Sequence, residues 1–205
     1  MKTLVMWSGG IDSTYTLAMM LKETDDEIVA HHIELVNREY RHISERHAVK
    51  KLLPKLQYIR PFKYEETLVD HTRLRLPAGG YDMANVCFAA GISMKDHMGT
   101  GRPIERFMIG SHKAEGHNWQ RWQWIEPIAK GAFYSKDGNI DGYAPFYLHD
   151  LVSKADEMKY LNDLGLLEDT WYCRTPVNGM VCGSCKTCAE VRRAFLDNLE
   201  RENHG

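Results

Sequence analysis

The sequence predicts an α/β fold: a doubly wound, mainly parallel sheet with a small metal-binding segment near its C-terminal end. Three observations carry that prediction. Strand and helix patterns alternate from the first residues, a Gly-Gly turn joins the first strand to the first helix, and four cysteines crowd together near residue 180. At about 100–200 residues per domain, 205 residues make one domain. It divides at Leu167 into an α/β part (1–166) and a cysteine-bearing segment with its last helix (167–205).

The elements follow in order. Thr3 to Trp7 is a short apolar run of the kind buried on both faces of a parallel sheet. Ser8-Gly9-Gly10 breaks it with a turn. Ser13 to Lys22 places Leu17, Met20 and Leu21 at helical spacing, Asp25-Asp26 closes that helix, and Glu27 to Val36 reads as a second strand. Arg41 to Leu53 predicts an amphipathic helix on Ile43, Ala48, Val49, Leu52 and Leu53, ended by Pro54. Met83 to Met98 reads as a buried helix and Phe107 to Gly110 as a strand. Trp119 to Ala132, with Trp119, Trp122 and Trp124, reads as a surface segment or lid. Asp137-Gly138-Asn139 marks a hairpin turn within Phe133 to Tyr143. His149 to Leu166 is a helix with Gly165 at its C-cap, and Ala189 to Asn203 is a last charged helix.

Composition narrows the function classes. A chain that is 43% hydrophobic and 10% aromatic folds around a core. With 26 Lys+Arg against 28 Asp+Glu, its net charge of −2 gives no general footprint for nucleic acid, and no basic run supplies a local one. Leu4 to Trp7 is too short for a signal-peptide core, and no stretch approaches the roughly 18 apolar residues of a membrane span. The expectation is a cytoplasmic protein with no membrane partner. A reducing compartment disfavours disulfides, so the cysteines need another role.

Ser8-Gly9-Gly10-Ile11-Asp12-Ser13 lies where an α/β sheet places its ligand crevice, beyond the carboxyl end of a strand. Gly9 and Gly10 let backbone amides approach an anion, the following helix N-terminus adds positive partial charge, and Ser8 and Ser13 add hydroxyls. Asp12 would repel phosphate directly, which leaves it to hold Mg²⁺ or order the turn. The patterns GxxxxGK[ST] and GxGxxG are both absent. The plain alternative is a Gly-Gly turn whose Asp and Ser cap a helix. The full SGGIDS string resembles the SGGxDS loop of the N-type ATP pyrophosphatases (PP-loop enzymes). That resemblance implies cleavage of ATP between its α- and β-phosphates, adenylation of a carbonyl oxygen, and displacement of AMP by a nitrogen or sulfur nucleophile.

Cys173, Cys182, Cys185 and Cys188 supply the four thiolates of a closed tetrahedral zinc site, with Gly183 letting the chain wrap tightly. An iron–sulfur cluster is chemically possible with the same four, and free thiols are the bland reading. Structural Zn²⁺ is the reading adopted. Cys87 stands alone in an apolar helix as a small core residue.

The phosphate turn together with WYCRTPVNGMVCGSCKTCAEVRRAF resembles the 7-cyano-7-deazaguanine synthases, the QueC family. The likeness extends to Ser153-Lys154-Ala155-Asp156 and to Arg41-His42-Ile43-Ser44-Glu45, so it runs along nearly the whole chain. It implies ATP as cosubstrate with Mg²⁺, ammonia, a 7-deazaguanine small molecule and a homodimer. It also implies that Lys154, otherwise an ordinary solvated lysine, neutralises phosphate charge. His112, after Gly110-Ser111 at a strand end, is placed to donate to substrate or to leaving pyrophosphate; otherwise it is a plain surface histidine. His42 and Glu45, one turn apart, form a local pair. Two family segments differ. Only Asn85 survives of Pro-Gly-Arg-Asn, and Tyr-Pro-Asp-Cys is replaced around Ile109-Gly110-Ser111-His112. The alternatives are a ligase for another carboxylate, protein or tRNA acceptor, a non-catalytic nucleotide-binding protein, or a zinc-ribbon binding module.

Overall fold

The computed structural model describes residues 1–37, 39–72, 82–112, 123, 125–134, 140–149 and 152–204. Five strands, β1 (Lys2–Met6), β2 (Glu27–Val36), β3 (Lys63–Asp70), β4 (Arg106–Gly110) and β5 (Phe146–His149), pair in the order β3-β2-β1-β4-β5. All four pairings are parallel. The central strand β1 is buried along its whole length because both of its faces meet core: Leu4 and Met6 point one way, Val5 and Trp7 the other. That is the sheet expected of an unbroken apolar run.

Helices cover both faces. On one lie α1 (Ile11–Glu23), α2 (His42–Ile59), α5 (Lys154–Asp163) and α6 (Lys186–His204), around Leu17, Leu52, Leu56 and Leu161. On the other, α3 (Asp82–Gly99) and α4 (Ile125–Phe133) enclose Leu4, Met94, Phe107 and Ile125. No helix among the described residues is long and apolar enough to cross a membrane.

Several sequence expectations change. Helix α2 does not stop at Pro54 but carries it and runs on to Ile59. Pro54 and Lys50, whose carbonyl loses its partner, both face solvent, where water replaces the bond, while Leu52 and Leu56 on the inner face keep the helix docked. The end of the expected surface lid, Ile125 to Ala132, is instead helix α4, with Ile125 and Ala129 fully buried against α3. Gly91 makes that packing close: a Cβ there would stand 2.3 Å from Ala129 O. Trp119, Trp122, Trp124 and the hairpin turn at 137–139 lie outside the described residues. Phe133, expected to open that hairpin, closes α4. His149 belongs to β5, so the helix expected from it begins only at Lys154. That helix does end as expected. Gly165, at φ +64°, donates to Asn162 O at 2.9 Å while Leu166 N reaches Leu161 O at 2.9 Å, the paired bonds of a Schellman cap.

The chain builds β1, β2 and β3 outward in one direction, then returns to add β4 and β5 on the other side of β1. The crevice at this reversal, beyond the carboxyl ends of β1 and β4, is where such sheets hold ligands.

Candidate functional site

The turn after β1 occupies that crevice. Gly9 adopts φ +76°, and a Cβ there would touch Val49 Cγ2 at 3.0 Å, so the turn packs directly on α2. Gly10 caps α1 without side-chain help, leaving the first amides of that helix without intrahelical acceptors. Ser13 Oγ accepts from Ser8 N at 3.1 Å, donates to Gly10 O at 3.3 Å and lies 3.1 Å from Ser8 Oγ. The two hydroxyls thus stiffen the turn and stand together at its mouth. Trp7 anchors it from below: its Nε1 donates to Thr14 Oγ1 at 3.1 Å and its carbonyl lies 3.0 Å from His32 Nδ1.

Asp12 points across the crevice, where three chain segments meet. Its Oδ1 lies 2.9 Å from His112 Nδ1, just past β4, and accepts from Lys154 Nζ at the start of α5. A carboxylate opposite Nδ1 calls for the proton on that nitrogen. Lys154 also lies 3.1 Å from Glu157 Oε2, one helical turn on. Ser153 places the lysine, accepting from Asp156 N as N-cap of α5.

The electrostatics of this quartet are tightly opposed. Burial works to raise the Asp12 pKa, yet Lys154 and His112 hold it well below the ordinary carboxylate range. Burial likewise works against the charge on Lys154, but Asp12 and Glu157 more than offset it and keep the ammonium protonated. Glu157 is fully buried, and burial followed by the neighbouring Asp12 charge pushes it up to about 9. Among the described residues neither of its oxygens has a hydrogen-bond partner of good geometry, although the Lys154 ammonium is near. Lys154 is therefore a buried cation in a cluster, 8% exposed, and His112 is 5% exposed. Both depart from the surface positions that a lone lysine and histidine suggest.

Asp12, His112 and Glu157 bring donor atoms within 4.8 Å of one another, and two of the three are carboxylates suited to a hard cation. The four cysteines form the other such group. Cys185 Sγ and Cys182 Sγ lie 3.3 and 3.8 Å from Cys188 Sγ, and all four sulfurs fall within 4.8 Å. Bonds of about 2.3 Å to one tetrahedral ion set sulfurs about 3.8 Å apart. A four-iron cluster places an iron beneath each thiolate and spreads its sulfurs wider. Amides of Cys182 and Cys185 donate to Cys173 Sγ and Cys182 Sγ, each at 3.3 Å. The hydroxyl of Thr175, then the amides of Ser184 and Cys185, pull the Cys182 thiol down to about 5, which favours the thiolate a metal requires. Cys87, by contrast, is fully buried and its thiol pushed up to about 12, as fits a core residue.

One cavity of about 290 Å³ touches both groups, through Asp12 and His112 of the first and Cys173 of the second. Its wall runs from the phosphate turn through His112 and Lys154 to Trp171, Tyr172, Cys173 and Arg174, and on to the start of α6. Trp171 N donates to Gly9 O at 2.9 Å, and a Cβ on Gly10 would stand 3.2 Å from Trp171 O. The cysteine segment is thereby strapped to the phosphate turn rather than attached as a remote appendage.

Sequence reasoning passed over several of these residues. Glu157 falls on the buried stripe of α5 with Lys154, Met158 and Leu161, and an acid on an apolar helical stripe is the signal that would have found it. Glu45 pairs with Arg41 at 3.3 Å, in place of the local pair expected with His42. Arg41, Asp82 and Arg174 meet in the cavity wall from three separated segments, and no spacing in the sequence announces that.

No family model matches the sequence, and no curated protein matches it. Among solved structures, the U34-tRNA thiolase NcsA from Methanococcus maripaludis, determined with its 4Fe-4S cluster, is similar at a TM-score of 0.50 and 16% identity. The match covers 98% of this chain and 66% of the thiolase. At this identity the likeness is one of fold, and it agrees with the α/β architecture expected from the sequence.

Proposed function

We propose that this chain is a PP-loop ATP pyrophosphatase that works as a ligase of the 7-cyano-7-deazaguanine synthase type. The observation that carries the reading is the Asp12–Lys154–His112 cluster beside the SGGIDS turn, at the reversal of a parallel sheet. The amides after Gly10 take the ATP phosphates, and Lys154 moves its charge onto them from Asp12. Asp12 is the carboxylate that would hold Mg²⁺ arriving with ATP, which supplies further neutralisation of phosphate charge.

A carboxylate oxygen of 7-carboxy-7-deazaguanine attacks the α-phosphorus, and pyrophosphate leaves. Ammonia attacks the acyl carbon of the adenylate; AMP leaves with the bonding pair and a proton is lost, giving the amide. In a second round the amide oxygen attacks the α-phosphorus of another ATP, pyrophosphate leaves, and loss of AMP with its bonding pair and of both amide protons gives the nitrile. The chain's own contribution is orientation and charge at the leaving groups, with His112 a proton donor within reach of them. Zinc is the ion proposed for Cys173, Cys182, Cys185 and Cys188, as a structural clasp, on the sulfur spacing above. A cytoplasmic homodimer without membrane or nucleic-acid partners completes the reading.

Mass spectrometry of the base, ammonia and ATP incubated with purified protein tests it. The expected result is conversion of carboxylate to amide and nitrile with AMP and pyrophosphate released; an unchanged base rules the reading out. A second reading, a ligase or thiolase for another acceptor such as tRNA or a protein, is favoured by the fold likeness to a tRNA thiolase. It predicts AMP release with that acceptor in place of the base.

A further inference from the structure

Four carboxylates line the cavity among its described residues: Asp12, Glu45, Asp82 and Glu190. Three have their charge well answered or face water. Asp12 is held by Lys154 and His112. Asp82 accepts from Arg41 and, at 3.1 Å, from Arg174. Glu190 is 31% exposed and lies 3.6 Å from Lys186.

Glu45 differs. Its side chain is only 12% exposed, and among the described residues its ionic partner is Arg41 Nε at 3.3 Å. That same nitrogen lies 3.1 Å from Glu39, and the guanidinium also serves Asp82. Two guanidinium groups, Arg41 and the more distant Arg174, thus serve three carboxylates. An ionised carboxylate offers about four lone-pair sites, and among the described residues Glu45 uses one of them for a shared ionic contact. Burial, helped by the Asp82 and Glu39 charges, outweighs Arg41 and Arg174 and raises its pKa. A ligand in this cavity meets an acceptor awaiting N–H groups.

We propose that Glu45 is the specificity-determining residue that reads the donor edge of the acceptor base, where ring N–H and exocyclic amine stand side by side. Two parallel N–H···O bonds to one carboxylate give that edge both energy and orientation. The proposal rests on the ligase reading above and names what sets its substrate class. It also places base recognition outside the Asp12–Lys154 cluster, so adenylation and recognition are separable by mutation.

Calorimetric titration of the intact protein with 7-carboxy-7-deazaguanine and with its analogue lacking the 2-amino group tests the assignment. Wild type is expected to favour the amino compound by about 100-fold, since the analogue leaves a buried charged acceptor unpaired. Glu45→Gln is expected to reduce that preference below about 10-fold while ATP still binds, because the amide side chain keeps one acceptor oxygen but loses the charge. Glu39→Gln, which removes another carboxylate from the same guanidinium, keeps the wild-type preference. Equal binding of both compounds by wild type overturns the role of Glu45 and leaves the ligase reading standing. So does a Glu45→Gln variant with the full preference. Wild type that binds ATP but neither base overturns the ligase reading, and this inference with it.

Discussion

Gly110 ends β4 directly against the first turn of α1, and replacing it with alanine tests whether that contact sets the phosphate turn. A Cβ there would lie 2.4 Å from Ser13 N, 2.5 Å from Asp12 C and 2.5 Å from Ser13 Cα. These are backbone atoms, so no rotamer change relieves the contact. Restoring ordinary van der Waals separation takes a withdrawal of about 1 Å by the first turn of α1. Overpacking of this kind costs about 1–3 kcal/mol of stability. The displaced amides are those proposed to take the ATP phosphates, and on that proposal a shift of about 1 Å costs about 100-fold in turnover. Urea denaturation and AMP release at saturating ATP measure the two effects. Gly131→Ala is the control: its Cβ would meet nothing within 4 Å in helix α4, so a gain of about 0.5–1 kcal/mol is expected. A Gly110→Ala protein with wild-type stability refutes the tight contact. One that is destabilised but turns ATP over normally refutes the assignment of the turn to ATP.

Other expectations follow from the same geometry. Lys154→Met should lower AMP release by about 10²- to 10³-fold, the scale for losing one charge-stabilising donor, with the fold retained by circular dichroism. Unchanged turnover removes Lys154 from the reaction. Cys185→Ser should lower bound metal from one ion per chain by elemental analysis and weaken ATP binding as well, because Trp171 ties the cysteine segment to Gly9. Metal loss with full ATP affinity argues that the strap holds without the ion. Glu65 is held well below its ordinary value of 4.5, first by His31, then against burial by Lys63, Ser93 and His97. A depressed carboxylate stabilises the fold above that value and loses its contribution as pH falls below it. Urea midpoints should therefore decline more steeply under acid for wild type than for Glu65→Gln; parallel curves count against the network.

Legibility tracked how local each signal was. The short apolar run at β1, the Gly-Gly turn and the 3.6-residue stripe of α1 read correctly because each element carries its own periodicity and its own stop. Gly165 was equally plain, since a left-handed residue after an apolar helix has few other uses. Pro54 misled because α2 continues past it: Pro54 faces solvent, while Leu52 and Leu56 on the inner face stay docked in the core. The four-residue β5 was missed because its pairing with β4, and not any pattern within Phe146–His149, makes it a strand. Asn178-Gly179, both at positive φ between Val177 and Met180, form a hairpin turn that dipeptide chemistry announces and that the cysteines overshadowed.

By itself, then, the sequence determined the sheet class, the Gly-Gly turn after β1 and the group of four cysteines, because glycine conformation, strand burial and cysteine spacing act over a few residues. Only the tertiary structure decided which of them form one site. Lys154 and His112 read alone as solvent-facing, and became a buried cluster because Asp12 lies where β4 and α5 converge. The cysteine segment could have been a separate module, yet the Trp171–Gly9 bond straps it to the turn in the crevice beyond β1 and β4. Juxtapositions of that kind come from packing between distant segments, and no local propensity encodes them.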